Sequence, residues 1–256
     1  MSKGKRASTW LLCIIPIILP AVVMASTLQE AAKSLVICAR DGKPADQFMQ
    51  QIAEASIEAL QKELHDDSAK LAFWINLYNG SVQNILMAHP ELFEDRGSFF
   101  KAKQIEVAGR MLSLDDIEHG MIRKSKLKLS LGYLGKLFVK SFEKKLRVKN
   151  IDPRIHFALN CGAKSCPPVA IYDPQKVFTQ LEMSSEKYLT ETTKYFPEKK
   201  EVEITVLFSW FRGDFGGLKG VRKMLKSYQL IPEDSKPDLK FADYDWTLST
   251  GNFITL

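Results

Sequence analysis

Two cysteines lie five residues apart in a stretch suited to chemistry, residues 152–168. Cys161 stands directly before Gly162, and Cys166 stands directly before two prolines. A thiolate becomes a strong nucleophile when a base or a positive charge lies beside it. Two cysteines this close can instead form a disulfide that closes a short loop. The residues leave both alternatives open: Cys161 as a nucleophile, or Cys161 and Cys166 as a structural pair.

Two histidines are candidate bases for the Cys161 thiol. His156 precedes Cys161 by five residues, which in an extended strand is ~16 Å, too far for a direct hydrogen bond. His119 is remote in sequence, as is usual for a thiol–imidazole pair. Its acidic neighbours could orient the ring: Asp115, Asp116 and Glu118. We therefore predict Cys161, His119 and Glu118 as the catalytic residues.

Three amides share one side of an otherwise apolar helix predicted over residues 69–88. Asn76, Asn79 and Gln83 recur there at helical spacing. A buried polar group without a hydrogen-bond partner costs ~1–3 kcal/mol, so these amides need partners. They could line a polar cleft, where Asn76 or Asn79 would hold substrate or stabilise an oxyanion. The alternative is that they tie neighbouring loops to the core, as most buried polar groups do.

Metal and redox chemistry are the weaker predictions. A Cys-x4-Cys spacing with one nearby histidine supplies at most three zinc ligands, at an unusual spacing. The two thiols are not in a Cys-x-x-Cys motif. The sequence also contains no glycine-rich phosphate loop and no Gly-x-Ser-x-Gly elbow. We therefore predict neither a metal nor a cofactor.

The elements that must position these residues favour an α+β fold. Apolar spacing predicts helices over residues 44–64, 69–88, 114–124, 133–146, 175–191 and 218–229. It predicts a hairpin over residues 104–112 and strands over residues 154–160, 201–208 and 239–247, so that Cys161 would end a strand. Helices come first and strands are scattered late. We predict a single domain with N-terminal helices packed on a small, mostly antiparallel sheet.

A basic block covers residues 123–149, with ten Lys or Arg residues and a single acid, Glu143. Residues 126–131 alternate like an edge strand, and the helix over residues 133–146 would turn its apolar side chains inward: Leu134, Leu137, Phe138 and Phe142. The block is either a solvated cationic face or a peripheral contact with an anionic surface such as phospholipid head groups or envelope polymer. We expect no nucleic acid, because no binding motif is present.

The N-terminus resembles a secretory signal peptide. Basic residues precede an apolar run from Trp10 to Val23, and small residues allow cleavage after Ala25. The alternative is an uncleaved anchor, although the run is short for a membrane span of ~20 residues. Removal of residues 1–25 would lower the net charge from +6 to +3, because they carry three basic residues and no acid. We predict a secreted or periplasmic protein with one domain over residues 26–256.

Secretion would place the chain where disulfides persist. Cys13 would leave with the signal peptide, so Cys38, Cys161 and Cys166 would remain. Because three is odd, at least one thiol would be free or paired with another molecule.

Five motifs together resemble the domain of unknown function 547 family, in that family's order: residues 72–79, 114–123, 152–168, 208–215 and 244–248. Members are secreted bacterial proteins or C-terminal parts of larger eukaryotic proteins, and this chain resembles the former. The resemblance places Glu118, His119 and Arg123 at matching positions. It implies that the cysteine matching Cys161 is common, whereas the position of Cys166 can be serine in plant-type members. It carries no catalytic assignment.

The function we predict is a cysteine-dependent hydrolase or acyltransferase that acts on amide or ester bonds of a small-molecule or polymer substrate. Four residues would bind the substrate: Asn76, Asn79, His156 and Arg123. The alternative is a non-catalytic envelope binding module in which Cys161 and Cys166 are structural. Arg212 and Asp214 could be a structural ion pair or part of the site.

Overall fold

The fold is that of a computed structural model, which describes residues 27–256. The predicted signal peptide, residues 1–25, lies outside the described residues. None of the helices in the described part of the chain combines the length and the apolar character needed to cross a membrane.

Four helices open the fold: α1 (Leu28–Asp41), α2 (Asp46–Ala53), α3 (Ile57–Glu63) and α4 (Asp67–Ala88). The sequence predicts one helix over residues 44–64, but the chain breaks it into α2 and α3. Ser56 causes the break, because its hydroxyl caps α3 by accepting from the Ala59 amide. α4 is apolar nearly all round and is the buried centre of the helical layer, with α1 packed along it.

A short connection follows, with a 3-10 helix (Pro90–Phe93), α5 (Arg96–Lys101) and the hairpin of β1 (Ile105–Val107) and β2 (Arg110–Leu112). The predicted hairpin is confirmed, with Ile105 opposite Leu112 in antiparallel register. Its turn residues, Ala108 and Gly109, have positive φ angles of 50° and 68°. That backbone is the one a two-residue hairpin turn favours, because it matches the twist of the strands.

A π-helix (Asp116–Ile122) replaces the α-helix predicted over residues 114–124. A capping box forms its start: the Asp116 amide donates to Ser113 Oγ, and the Ser113 amide donates to Asp116 Oδ2. The π-helix packs against α4.

Most of the basic block has neither the strand nor the helix predicted for it. Only α6 (Ser141–Leu146) is helical, and residues 127–138 form a series of turns. Leu131 and Gly132 take left-handed backbone angles, and Ser130 Oγ accepts from the Leu134 amide. These local bonds compete with the helix, because serine and glycine favour turns. Leu134, Leu137 and Phe138 are consequently exposed instead of buried, whereas Phe142 is buried as predicted.

The strand predicted over residues 154–160 is wrong, since this segment begins with a 3-10 helix (Pro153–Phe157). Pro153 occupies its first turn, and the Asp152 carboxylate accepts from the Arg154 amide. Proline in the first turn and aspartate before it favour the start of a helix. Here they prevailed over the apolar alternation, which is typical of a strand. Cys161 therefore follows a helical turn and not a strand.

The C-terminal part contains α7 (Val177–Thr192), α8 (Leu207–Trp210) and α9 (Gly217–Ser227) around a three-stranded sheet. The strands are β3 (Lys194–Phe196), β4 (Glu201–Ile204) and β5 (Asp238–Phe241), with a 3-10 helix (Pro197–Lys199) between the first two. β3 pairs antiparallel with β4, and β5 pairs parallel with β4. The predicted α+β class is confirmed, with two small sheets among the described residues.

Two clusters of buried apolar residues form the core. The larger surrounds α4, and the smaller lies between α7, β4, α8 and α9. The 3-10 helix after Asp152 stands between them, with Ile155 in the larger cluster and Phe157 in the smaller one. Tyr244 packs against both clusters. The junction of the two clusters is where the candidate site lies.

Candidate functional site

A cavity of about 380 Å³ gathers most of the residues predicted to do chemistry. Cys161, His119, Glu118 and His156 all line it. Six aromatic residues make up much of its wall: Tyr78, Phe100, Trp210, Phe211, Tyr244 and Trp246. The cavity therefore joins an apolar, aromatic wall to a polar end formed by the π-helix.

Cys161 and Cys166 form a disulfide, with their Cα atoms 6.2 Å apart. The Tyr244 hydroxyl touches both sulfurs, at 3.4 Å from Cys161 Sγ and 3.1 Å from Cys166 Sγ. Cys166 faces a second cavity of about 350 Å³, which Tyr244 also lines. The disulfide and Tyr244 thus separate two cavities. Cys38 is a buried free thiol in α1, and burial raises its pKa.

Asn79 and Asn160 hold the loop that carries the disulfide. Asn79 accepts from the Asn160 amide and donates to the Ala158 carbonyl. The Asn160 side chain in turn accepts from the Gly162 amide and donates to the Pro167 carbonyl. Each of these bonds is 2.9 Å or shorter. They fix the main chain on both sides of Cys161.

Asn76 makes the same kind of contact with a different loop. Its side chain donates to the Tyr172 carbonyl at 2.7 Å and accepts from the Tyr172 amide at 2.9 Å. Asn76 and Asn79 are fully buried and neither lines the cavity. The structure therefore does not bring these two predicted substrate-binding residues to the site, and their bonds match the alternative that the amides tie loops to the core.

Arg123 is buried behind the polar end of the cavity, where it links His119 to Asp214. Its Nη1 lies 2.8 Å from His119 Nδ1, and its Nε lies 2.7 Å from Asp214 Oδ2. His156 Nε2 lies 2.9 Å from the same oxygen. The His156 ring stacks on the Phe211 ring, with centroids 3.9 Å apart. Phe211 also lies under the Arg123 guanidinium, 4.6 Å away.

Arg212 and Asp214 do not form the ion pair considered from the sequence, because each has a different partner. Arg123 is fully buried and does not line the cavity, so it acts on the site through His119. Asp214 pairs with Arg123, whereas Arg212 donates to Ser209. Burial opposes ionisation of Asp214, but bonds from His156 and Arg123 hold its pKa below the ordinary value.

The hydrogen bond from Arg123 decides the tautomer of His119. A guanidinium only donates, so Nδ1 must accept and the ring proton is on Nε2. Nε2 has no hydrogen-bond partner among residues 27–256, and the Asp115 carboxylate lies 3.6 Å away. Burial first, and the charge of Arg123 second, lower the pKa of His119 to about 3. At neutral pH His119 is therefore an uncharged ring with an N–H free to donate.

Two carboxylates complete the polar end. Glu118 accepts from the Tyr78 hydroxyl at 3.4 Å, and its other oxygen lies 3.3 Å from His119 Nδ1. Asp115 forms an ion pair with Lys128 at 2.7 Å. Within the described residues, no group of three or more His, Cys, Asp or Glu side chains is arranged to hold a metal ion. The polar end can therefore offer a donor from His119 and acceptors from the carboxylates.

The aromatic wall is the part of the site that the sequence reasoning did not assign. Trp210, Tyr244 and Trp246 pack on one another with centroids 4.6 to 5.6 Å apart. All three belong to motifs that carried the family resemblance, residues 208–215 and 244–248. Aromatic residues repeated in late motifs could have indicated a binding wall.

Comparison with known proteins agrees with the motifs. The family described as "Protein of unknown function, DUF547" matches residues 62–189, half of the sequence, from α3 to α7. The matched part contains the π-helix and both disulfide cysteines, whereas Trp210 and Tyr244 lie beyond it. No curated protein and no solved structure matches the chain significantly. The chain therefore belongs to the DUF547 family.

Proposed function

We propose that this protein binds a small ligand, or the end group of a polymer, in the aromatic cavity. The observation that carries the proposal is the meeting of an apolar wall with a few convergent polar groups in one space of about 380 Å³. Ligand sites of proteins have this composition and size. The Cys161–Cys166 disulfide serves as a brace of the wall, and a location in the cell envelope would preserve it.

The polar end favours a ligand head group that is neutral or cationic. Two carboxylates, Asp115 and Glu118, face the cavity, against one cation, Lys128. The charges of Arg123 and Asp214 behind it are paired with each other. A carboxylate head group would be repelled, whereas an amine or hydroxyl would find acceptors. We assign the His119 Nε2–H, which is buried at this end without a hydrogen-bond partner among residues 27–256, as the donor to an oxygen of the ligand.

The test uses three amphiphiles with one tail and different head groups: dodecylamine, dodecanol and dodecanoate, each below its micelle concentration. Trp210 and Trp246 line the cavity, so their fluorescence reports occupancy. We expect saturable binding of the amine and the alcohol, and weaker binding of the carboxylate. Trp246→Ala should weaken binding at least tenfold, about 1.4 kcal/mol. The control Met183→Ala, exposed on α7, should bind as the unmodified protein does. Non-saturable binding, or equal loss in both variants, would refute the proposal.

A second candidate function is the cysteine-dependent hydrolase or acyltransferase. It is supported by the presence of Cys161, His119 and Glu118 among the residues that line one cavity. Cys161 must first be reduced, because a disulfide sulfur is not a thiolate. His119 must also give up its bond from Arg123 before Nδ1 can take a proton. The oxidised, neutral arrangement therefore favours binding over catalysis.

Reduction of the disulfide separates the two candidates. The reduced protein is incubated with p-nitrophenyl acetate, and the alkylation rate of each cysteine is followed against pH by mass spectrometry. A catalytic role predicts turnover that Cys161→Ser abolishes and Cys38→Ser leaves unchanged. It also predicts a Cys161 alkylation rate that levels off well below pH ~8.5. Absence of turnover together with an ordinary alkylation profile would leave ligand binding as the function.

A further inference from the structure

The loop of residues 127–138, here called the apolar loop, exposes large hydrophobic side chains to solvent. Leu129 and Leu137 are each 93% exposed, and Phe138 is 92% exposed. Four more are at least 42% exposed: Leu127, Leu131, Tyr133 and Leu134. Single exposed apolar residues are ordinary, but a contiguous group of this kind marks a surface that meets another apolar phase.

The apolar loop is held in place by the site itself. The Gly213 amide donates to the Leu131 carbonyl at 2.7 Å, and Lys128 pairs with Asp115. Gly132 has a φ of +86° and packs so closely on Asp214 that a Cβ there would lie 2.5 Å from Oδ1. The exposed side chains are therefore presented by a backbone that is anchored at its base.

Unpaired lysines flank the apolar loop in the sequence. Lys124, Lys140, Lys144 and Lys145 are exposed, and none of them pairs with a carboxylate in the part of the chain that the structure describes. Apolar side chains flanked by lysines are complementary to an anionic phospholipid surface, where the chains enter the acyl boundary and the lysines meet the head groups. Charge complementarity thus selects a membrane over water or a neutral partner.

The same loop forms part of the cavity. Leu129 and Leu131 line it, as does Lys128, while Leu137 and Phe138 do not. Leu129 is as exposed as Leu137 and also lines the cavity, so a bilayer that the exposed side chains of the loop enter would meet the cavity at Leu129. The cavity would then be open to molecules that reside in that bilayer.

We infer that the apolar loop docks this protein on an anionic bilayer, and that the ligand of the cavity is a membrane amphiphile with an apolar tail and a neutral or amine head group. The second half of this inference rests on the proposed ligand-binding function. The first half, the docking, stands on the exposed loop and its lysines alone.

Insertion of the loop is tested with a local reporter, so that contacts made by other parts of the chain do not count. Leu137→Trp in the full-length protein is mixed with vesicles of phosphatidylcholine and phosphatidylglycerol in which the phosphatidylcholine is brominated. We expect strong quenching of the added tryptophan, lost when phosphatidylglycerol is left out. The control Phe178→Trp, at a position 47% exposed on α7, should not be quenched.

Three outcomes would overturn the docking. Equal quenching at both positions means non-specific adsorption. No quenching, with ordinary exposed-tryptophan emission, means that the loop stays in water. A blue-shifted tryptophan at position 137 before vesicles are added means that protein, either residues 1–26 or a second copy, covers the loop.

A second variant separates docking from ligand binding. Leu137→Ser with Phe138→Ser should lower vesicle partition at least tenfold, about 1.4 kcal/mol. Because both side chains are almost fully exposed and lie outside the cavity, folding and dodecylamine binding in solution should be unchanged. Docking without amphiphile binding would overturn the proposed function and the ligand half of the inference. Amphiphile binding without any loss of partition would overturn the docking and leave the proposed function intact.

Discussion

Arg123 is the residue on which the electrostatics of the polar end depend. It has no solvent contact, and its charge is balanced by Asp214, with His119 and His156 as further partners of the pair. Arginine suits this position because its planar group can donate in two directions and stack on Phe211 at once. Its bond makes Nδ1 of His119 an acceptor, and together with His156 it keeps the pKa of Asp214 low, so the buried charges of Arg123 and Asp214 balance each other behind the cavity.

Asp214→Asn should strongly destabilise the protein. The amide keeps the shape of the side chain but leaves Arg123 as an uncompensated buried charge, which costs about 3–5 kcal/mol. Urea unfolding measures the loss. The control Asp41→Asn breaks a solvent-exposed pair with Arg40 and should change stability by less than about 1 kcal/mol. Similar losses in both variants would mean that the Arg123–Asp214 pair is not needed for balance.

Stability should fall as the pH drops from about 6.5 toward 4.5. Burial lowers the pKa values of His119, to about 3, and of His156. The unfolded chain, with an ordinary histidine pKa near 6.5, therefore binds protons that the folded chain does not. Each such histidine lowers the free energy of unfolding by up to about 1.4 kcal/mol per pH unit in this window. Carboxylates with lowered pKa, such as Asp214, remain ionised above pH 4.5 and contribute only below about pH 4.

The variant His119→Gln checks the assignment. Glutamine can still accept from Arg123 but cannot titrate, so the slope of stability against pH should become shallower, with the remainder due to His156. His65→Gln, at a largely exposed position, is the control and should keep the original slope. An unchanged slope in His119→Gln would mean that His119 takes up its proton at the same pH in the folded and the unfolded chain.

The π-helix carries cavity-lining side chains of the site, and α4 is the buried helix that it packs against. A π-helix widens the turn, and such turns are frequent at functional sites. Here the wide turn carries Glu118 and His119 on the cavity wall, while Arg123 at its end reaches back to Nδ1 of the same histidine. α4 lies behind it and supplies the amides that hold the disulfide loop.

Gly80 allows α1 and α4 to approach each other. A Cβ at Gly80 would lie 2.5 Å from Leu35 Cβ and 3.1 Å from the α1 backbone. Gly80→Ala should therefore cost about 1–3 kcal/mol, although alanine favours helices, because the packed helices must separate. In the control Gly97→Ala on α5 the nearest atom is a side-chain oxygen at 3.4 Å. That change should be neutral or stabilise by about 0.4–1 kcal/mol. Thermal unfolding measures both, and a neutral Gly80→Ala would contradict this packing.

At the scale of the whole molecule, the two core clusters meet at the site. Tyr244 packs on both, and the cavity lies between elements of each. A ligand that fills the cavity would therefore contact both parts of the core. If the chain is a single domain, as we predict, the two clusters should fold as one unit.

Unfolding of the oxidised protein should be a single cooperative transition. The reason is that the clusters share Tyr244 and the 3-10 helix after Asp152, so neither keeps its packing when the other is lost. Calorimetry checks this through equality of the calorimetric and van't Hoff enthalpies. Two separate transitions would show two domains. Saturating dodecylamine should raise the midpoint of the single transition.

The local parts of this protein could be predicted from the order of its residues. Residue types and short spacings predict the buried helix α4, the hairpin of β1 and β2, and the candidate residues Cys161, His119 and Glu118. Each depends on apolar periodicity or on bonds between residues a few positions apart, which the order of residues displays directly.

How these parts meet depends on contacts between residues far apart in the chain. Arg123 and Asp214 are 91 positions apart, and Cys161 and Tyr244 are 83 apart, so no local pattern relates them. The Arg123 bond in turn sets the tautomer of His119. The predicted helix over residues 133–146 is correct only over Ser141–Leu146. Periodicity shows which side chains share a face, but their burial requires another surface. Among the described residues no such surface covers Leu137 and Phe138.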